Sequence, residues 1–136
     1  MFHVLVGEEA AVEPVQRAAA ERGAVSWIVP KAAKPEDEVV LFFPHIGFLG
    51  RGVVASEPEA TMFGKRQTYR ADVGNLILFA FPVVLDEIAK LFPEWAWTRY
   101  PRSFTTPPEE LAGRVSENLL RLGTEAEPGA APDPAT

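Results

Sequence analysis

Short apolar runs separated by turn-forming residues recur along the chain and predict a domain rich in β-structure. Six of these runs have the length, the residue types or the alternation of polar and apolar side chains that strands show. They are "FHVLV" (2–6), "AVSWIVP" (24–30), "EVVLFF" (38–43), "GFLGRGVVAS" (47–56), "YRADV" (69–73) and "NLILFAF" (75–81). We interpret the third and fourth runs as an antiparallel pair joined at the corner from Pro44 to Gly47.

Three further segments have the spacing or the composition of helices. They are "EPVQRAAAER" (13–22), "PVVLDEIAKLF" (82–92) and "TPPEELAGRVSENLLRLG" (106–123). In the last of these, Thr106 is expected to be the N-cap, with Pro107 at the first helical position and Glu109 completing a capping box. Gly123 is expected to end that helix.

The predicted elements fit one α+β domain over residues 1–122. Gly50 and Gly52 lie two apart on one face of a strand, where the absence of side chains permits the bend that a barrel needs. We therefore expect a small, partly open β-barrel with mixed and antiparallel pairing and flanking helices. Residues 123–136 have three prolines and no aromatic or large aliphatic side chain, which predicts a disordered acidic tail rich in Pro and Ala.

Composition narrows the class of protein. The chain has 136 residues, of which 47% are hydrophobic and 24% charged, as is typical of a single globular domain. The absence of cysteine excludes disulfides and thiolate chemistry and fits a cytoplasmic location. Neither a signal peptide nor an apolar run of the roughly 20 residues that cross a membrane is present, so we expect no membrane contact.

The distribution of charge limits the ways in which the protein can bind nucleic acid. The net charge is −6, whereas residues 60–105 carry six basic and four acidic side chains. Sequence-independent binding along a phosphate backbone needs a broad basic footprint, which this acidic chain lacks. Local contact with a few phosphates stays open, with Lys65, Arg66 and Arg70 as the candidates; the alternative is that they lie in solvated turns.

The sequence has few of the patterns that indicate an enzyme. His3 and His45 are the only histidines, and neither belongs to a helical metal motif, so we expect no metal and no cofactor. A nucleophile elbow and a phosphate-binding loop are both missing, which favours a protein that is not an enzyme. His45 has two interpretations: a loop histidine bonded to a nearby carbonyl, or a hydrogen-bonding group at the mouth of the barrel.

Aromatic side chains near arginines point to a different chemistry. Trp97 and Tyr100 lie close in sequence to Arg99 and Arg102, a combination suited to stacking on a base while a guanidinium meets phosphate or a base edge. The alternative is that the tryptophans fill the barrel. We expect Trp95 to be a packing residue and Trp97 to lie nearer a ligand.

The order of these features resembles an EVE-type domain of the PUA-like superfamily. The resemblance covers residues 24–122 and rests on "VVLFFPH", "GFLGRGVVASEP", "YRADV", "PVVLDEI" and "FPEWAWTRYPRSFTTPPEEL". It implies a pocket that holds a modified or flipped nucleobase, and a possible association with HNH-type nuclease modules encoded nearby. Carried over to this chain, the pocket residues are Trp27, Phe43, His45, Gly47, Trp97, Tyr100, Arg102 and Ser103.

Two departures from the family pattern stand out. The Gly-Asp turn of similar domains is Glu36-Asp37 here, and their Arg- and Asn-rich loop is replaced by the helical segment 13–22.

These observations together predict a non-catalytic module that reads a modified or flipped base in DNA or RNA. Unstacking a base costs a few kcal/mol, and stacking on an aromatic side chain returns about 1 to 3 kcal/mol, so few phosphate contacts suffice. The alternatives are a protein-interaction or small-molecule module on the same barrel and, third, a small hydrolase or nuclease.

Overall fold

The computed structural model describes residues 1–101 and 103–123, which form six strands and three α-helices. The strands are β1 (Phe2–Val6), β2 (Val25–Val29), β3 (Glu38–Phe43), β4 (Gly47–Val54), β5 (Glu59–Phe63) and β6 (Arg66–Val83). The helices are α1 (Val12–Glu21), α2 (Leu85–Leu91) and α3 (Glu109–Gly123), and short 3₁₀ turns cover Glu9–Ala11 and Ala96–Arg99. None of the helices in the described ranges has the length and apolar character needed to span a membrane.

All six strands belong to one curled, mixed sheet. Its order is β1-β3-β4-β6-β2, and β5 pairs with the first part of β6. β1 runs parallel to β3, whereas every other neighbouring pair is antiparallel. The α+β class and the small open barrel expected from the sequence are therefore confirmed, with β1 and β2 as the two strands that leave the barrel unclosed.

β6 corrects one expectation, since it joins the two strands predicted at 69–73 and 75–81. Val53 of β4 lies opposite Gly74 of β6, whereas Arg51 lies opposite Ile77, so β6 has one extra residue between these pairs. Asn75 lies within this interval with a φ of 49°. The apparent break in the sequence is thus a β-bulge, which bends the strand without ending it.

The sheet has a hydrophobic core on each face because β3 is apolar along almost its whole length. Val39, Leu41 and Phe43 face a core that also contains Val15 of α1. Val40 and Phe42 face a second core, formed with side chains of α2 and α3. A strand buried on both faces has a continuous run of apolar residues in its sequence, as "VVLFF" does.

The start of α3 differs from the predicted capping box. The helix begins at Glu109, and the amide of Ala112 donates to the carbonyl oxygen of Pro108 at 2.8 Å. Thr106 lies outside the helix, where its Oγ1 is 2.7 Å from Nδ1 of His3. His3 is only 1% exposed, so its ring nitrogens need hydrogen-bond partners. The Thr106 hydroxyl is one of these partners and therefore does not cap α3.

The far end of α3 is Gly123, which is buried against the ring of Phe79. The predicted disordered tail, apart from Gly123 itself, lies outside the described residues.

Candidate functional site

A side-chain hydrogen bond links β1 and β2, the two end strands of the sheet. Nε1 of Trp27, on β2, donates to the carbonyl oxygen of Val6, on β1, at 3.2 Å. Thr105 covers part of the outer edge of β1, because its backbone exchanges hydrogen bonds of 2.8 and 2.9 Å with Val4. No ladder pairs β1 with β2 in the described sheet, and residues of both strands line an opening in the wall of the barrel.

This opening holds two neighbouring cavities, which we call together the edge cleft. Their volumes are about 540 and 300 Å³, and both are lined by Val6, Ile28 and Phe63. The larger cavity also reaches Trp27 and Arg70. The smaller is completed by Arg66, Thr68, Ser103 and Phe104. Cavities of this size accommodate one planar heterocycle with its sugar.

The inner wall of the edge cleft is held rigid by aromatic packing. The Trp27 indole is 7% exposed and meets the fully buried Phe43 ring edge to face, with ring centroids 5.9 Å apart. The backbone of Gly7 lies against both rings: a Cβ there would lie 2.5 Å from Cζ2 of Trp27 and 2.7 Å from Cε1 of Phe43. Glycine at position 7 is therefore what lets the chain pass over the indole.

The outer wall comes from the β5–β6 hairpin. Phe63 is paired with Arg66, and Arg70 is paired with Ile28 of β2. Residues directly opposite each other in a sheet point to the same face, as do residues four apart along a strand, so Phe63, Arg66 and Arg70 share the outer face. Phe63 is 71% exposed, which leaves its ring free to contact a ligand.

The two arginines of this wall differ in how firmly they are held. Arg70 donates from Nε to Oγ of Ser26 at 3.0 Å and from Nη2 to the Ser26 carbonyl oxygen at 3.1 Å. The side chain of Arg66 has no hydrogen-bond or ion-pair partner among residues 1–101 and 103–123. Lys65 lies beside it in the exposed hairpin turn. Arg66 is thus the cation most available to an anionic ligand.

Thr68 provides an unsatisfied polar group at the same place. Its Oγ1 is buried and has no hydrogen-bond partner within the described part of the chain, although Thr68 lines the smaller cavity. A buried hydroxyl without a partner costs free energy, but this oxygen has almost no accessible surface and so is not exposed to the cavity.

Trp97 is half-buried beside the second core and lines neither cavity of the edge cleft. It stacks on the buried Trp95 with centroids 5.0 Å apart and meets Phe42 at 5.3 Å, so Trp95 belongs to the second core and Trp97 packs against it. The packing role expected for Trp95 is confirmed. Nε1 of Trp97 donates to the carbonyl oxygen of Ser103 at 2.8 Å, and through this bond Trp97 fixes a residue of the edge cleft.

His45 and Gly47 lie in a separate place, the corner between β3 and β4. They line a cavity of about 300 Å³ together with Phe42, Pro44, Leu85 and Asp86, which we call the corner cavity. His45 is exposed with a φ of 72°, and the amide of Ile46 donates to the Phe43 carbonyl oxygen at 3.1 Å. Gly47 has a φ of 114° and lies so close to the carbonyl of Val83 that no side chain fits.

The eight predicted pocket residues are therefore not gathered in one cavity. Trp27 and Ser103 lie at the edge cleft with Phe43 behind them, and His45 and Gly47 line the corner cavity. Trp97 is half-buried and packs against the second core. Tyr100 is exposed and lines neither cavity, and Arg102 lies outside the described residues. Of the predicted phosphate-binding residues, Arg66 and Arg70 line the edge cleft.

Phe63 and Phe104 line the edge cleft but were not among the residues predicted from the sequence. The signal for Phe63 was present: Gly64 and Lys65 form a two-residue turn between runs that alternate, which predicts a hairpin. Phe104 gave no such signal, because its place at the cleft depends on the pairing of Thr105 with β1.

A buried polar cluster supports the segment that carries Ser103 and Phe104. Nε2 of His3 donates to Oδ2 of Asp37 at 2.8 Å, while Nδ1 faces Thr106. Burial raises the pKa of the Asp37 carboxyl, but hydrogen bonds from His3, from the Lys34 amide and from the Met1 amino group outweigh it and lower the pKa below its ordinary value. Residues 1–101 and 103–123 contain no group of three or more His, Asp or Glu side chains placed to share a metal ion.

No protein-family model matches the chain, and no curated protein matches it. Among solved structures, it is similar to the crystal structure of protein Atu2648 from Agrobacterium tumefaciens, with a TM-score of 0.68. The match covers 97% of this chain and 99% of that chain at 14% sequence identity. At this level of identity the likeness shows a shared fold.

Proposed function

We propose that the protein is a non-catalytic, PUA-like nucleic-acid-binding module of the EVE type, which holds a modified or flipped nucleobase in the edge cleft. The observation that carries the proposal is the wall of this cleft, where the exposed Phe63 ring lies on the same strand face as Arg66 and Arg70. A flat ring beside two guanidinium groups is the combination that binds a base together with its phosphate.

Stacking supplies most of the binding free energy in this proposal. Phe63 and Phe104 are the exposed aromatic residues of the smaller cavity, and either ring offers a face to a planar heterocycle. An aromatic contact of this kind contributes about 1 to 3 kcal/mol per base. That range is comparable to the few kcal/mol needed to take a base out of its stack, so a base that is modified, mismatched or already single-stranded is favoured.

Polar side chains at the edge cleft would orient the bound nucleotide. The guanidinium of Arg70, which Ser26 holds in place, is suited to contact a phosphate at a fixed position. Two phosphate contacts, by Arg66 and Arg70, would give a slope of about −1.4 in log K against log salt for a single strand. Such weak salt dependence suits a protein with a net charge of −6.

The test is a panel of short DNA and RNA oligonucleotides, each carrying one modified base, compared with unmodified oligonucleotides of the same sequence. Thermal stabilisation of the protein measures binding, because a ligand that prefers the native state raises the melting temperature. We expect one class of modified oligonucleotide to raise it and its unmodified counterpart to have a much smaller effect. Equal affinity for both would contradict modified-base recognition, and no binding at low salt would contradict nucleic-acid binding altogether.

The small-molecule alternative has a distinct outcome in the same experiment. If free nucleosides or other planar heterocycles stabilise the protein and no oligonucleotide does, the edge cleft is a small-molecule site.

A further inference from the structure

A second concave surface lies between α3 and the first residues of β1 and β3. Its volume is about 650 Å³, and we call it the α3 groove. On the helix it is lined by Glu109, Ala112, Gly113, Ser116, Glu117 and Leu120, which recur every three or four residues and so form one stripe. Met1, Phe2, Glu38 and Pro107 complete it. The α3 groove shares no lining residue with the edge cleft, so its occupant is independent of the proposed base recognition.

We propose that the α3 groove docks a peptide segment of a partner protein that carries apolar side chains flanked by lysine or arginine. Three features of the groove support this occupant: its apolar centre, the space left above Gly113, and carboxylates without a counter-charge.

The centre of the groove is apolar and accessible. Ala112 and Phe2 are buried beneath it, while Met1 and Leu120 are among the exposed large hydrophobic residues of the protein. Apolar side chains that flank a concave surface are typical of a site that buries the anchor residues of a peptide.

Gly113 leaves room at the middle of the stripe. It lies in the interior of a helix, where glycine is destabilising relative to alanine. Apart from its chain neighbours and the backbone of its own helix, a Cβ at this position would have no heavy atom of the described residues within 4 Å, so tight packing does not explain the glycine. Its effect is to keep the groove open.

The charged side chains that line the α3 groove are all acidic. Glu38, Glu109 and Glu117 line it; Glu38 accepts a hydrogen bond from Oγ of Ser116 at 3.0 Å, whereas Glu109 and Glu117 have no cationic partner among the described residues. The Met1 amino group is paired with Asp37 at 3.0 Å. A cationic ligand would therefore meet uncompensated carboxylates.

The basic side chains of α3 point elsewhere. Arg114 bonds to Glu94 at 3.3 Å and lies over the Phe92 ring, and Arg121 bonds to Asn118 at 2.9 Å. No lysine or arginine of the described chain lines the groove. The chain's own segment 124–136 carries three acidic residues and no basic one, so its charge is of the wrong sign for this surface.

The test uses the full chain and two fluorescent 12-residue peptides. One repeats Leu-Lys-Lys-Leu, and the other has glutamate at every lysine position. Fluorescence anisotropy is expected to show binding of the lysine peptide alone. Gly113→Leu, which fills the groove, is expected to weaken that binding at least about 10-fold without lowering the melting temperature, because leucine is a better helix former than glycine.

A charge-matched pair of variants keeps the test independent of Gly113→Leu. Glu109→Gln is expected to weaken binding by about 2- to 5-fold, the range for one exposed ion pair. Glu110→Gln removes the same charge one residue away, on a side chain that does not line the groove, and is expected to have a smaller effect. Equal effects of the two variants would mean that only the net charge attracts the peptide, and would overturn the proposal.

Four other results would overturn it as well. They are equal binding of the two peptides, no binding of either, binding unaffected by Gly113→Leu, and concentration-dependent dimerisation that Gly113→Leu abolishes, which would make a second copy the occupant. If instead Gly113→Leu shifts the NMR amide signals of residues 124–136, the chain's own terminal segment occupies the groove and the proposal also fails.

Discussion

The indole Nε1 of Trp27 donates a hydrogen bond to the carbonyl oxygen of Val6 at 3.2 Å, and this contact joins β1 and β2, the two end strands of the sheet. A backbone ladder between β1 and β2 would close the barrel and leave no opening. Instead, one side-chain hydrogen bond connects β1 with β2, and the edge cleft occupies the rest of the gap between these strands. The residue that sets the width of the cleft is thus also a core residue.

Replacing Trp27 by phenylalanine tests how much this hydrogen bond contributes to the stability of the fold. Trp27→Phe removes the hydrogen bond, worth about 0.5 to 1.5 kcal/mol, and leaves a small cavity beside Phe43. We expect the free energy of unfolding to fall by about 1 to 3 kcal/mol, measured by urea denaturation. A change below about 0.5 kcal/mol would show that the contact contributes little.

Phe63 and Met62 are neighbours in β5 with similar exposure, 71% and 63%, and they offer a matched pair. Only Phe63 lines the edge cleft, because successive side chains of a strand point to opposite faces. With the modified oligonucleotide found in the panel, Phe63→Ala is expected to weaken binding by about 5- to 100-fold, the loss of one stacking contact. Met62→Ala is expected to leave the dissociation constant unchanged, and an equal loss for both variants would count against stacking on Phe63.

Glu36 adopts a backbone conformation that favours glycine. Its φ is 78°, and the amide of Asp37 donates to the carbonyl oxygen of Lys34 at 3.0 Å across Pro35, as in a type II turn. Glu36→Gly is therefore expected to raise the free energy of unfolding by about 0.5 to 1 kcal/mol, whereas Glu36→Ala is expected to give no gain. Chemical denaturation of both variants measures the difference.

Asp37 makes stability depend on pH in the acid range. Its pKa is lowered in the folded protein, so the unfolded chain binds the proton more readily and protonation favours unfolding. The stabilisation is complete above the unfolded pKa of about 4 and is lost as the pH falls through the lower folded pKa. We expect the melting temperature to drop in this interval, and Asp37→Asn to have a lower melting temperature at neutral pH with a smaller drop.

Asp72→Asn is the control for that experiment, because Asp72 is exposed and its carboxylate takes part in none of these hydrogen bonds. The same acid-induced drop in Asp37→Asn as in the parent protein would contradict the assignment to Asp37.

Gly7 and Gly113 are predicted to respond to alanine in opposite directions. Gly7→Ala forces a methyl group against the Trp27 and Phe43 rings and is expected to destabilise the protein by about 1 to 3 kcal/mol. Gly113→Ala places a methyl group in open space within a helix and is expected to stabilise it by up to about 1 kcal/mol. Thermal and chemical denaturation of the two variants give the comparison, and a loss of stability in Gly113→Ala would contradict the account of that position.

Local patterns predicted β1 to β4 well because alternation and turn residues act over short distances, whereas β5 was not predicted and the single strand β6 was predicted as two. β3 and β4 follow directly from "EVVLFF", the Pro44 corner and "GFLGRGVV". The capping box failed for a non-local reason, since the Thr106 hydroxyl is directed to His3, 103 residues away in sequence. Arg66 and Arg70 were identified from charge alone, whereas Phe104 reaches the cleft through a pairing with β1 that no short segment encodes.

The rim segment from Ser103 to Thr106 is fastened at three successive points. Ser103 accepts a bond from Trp97, Thr105 exchanges two with Val4, and Thr106 faces the buried His3 ring. If the edge cleft binds the proposed ligand, a wall held in this way would lose little conformational entropy on binding. Trp95 stacks on Trp97, and Trp97 in turn holds Ser103. A substitution at Trp95 would therefore weaken binding of the proposed ligand at the edge cleft without contacting that ligand.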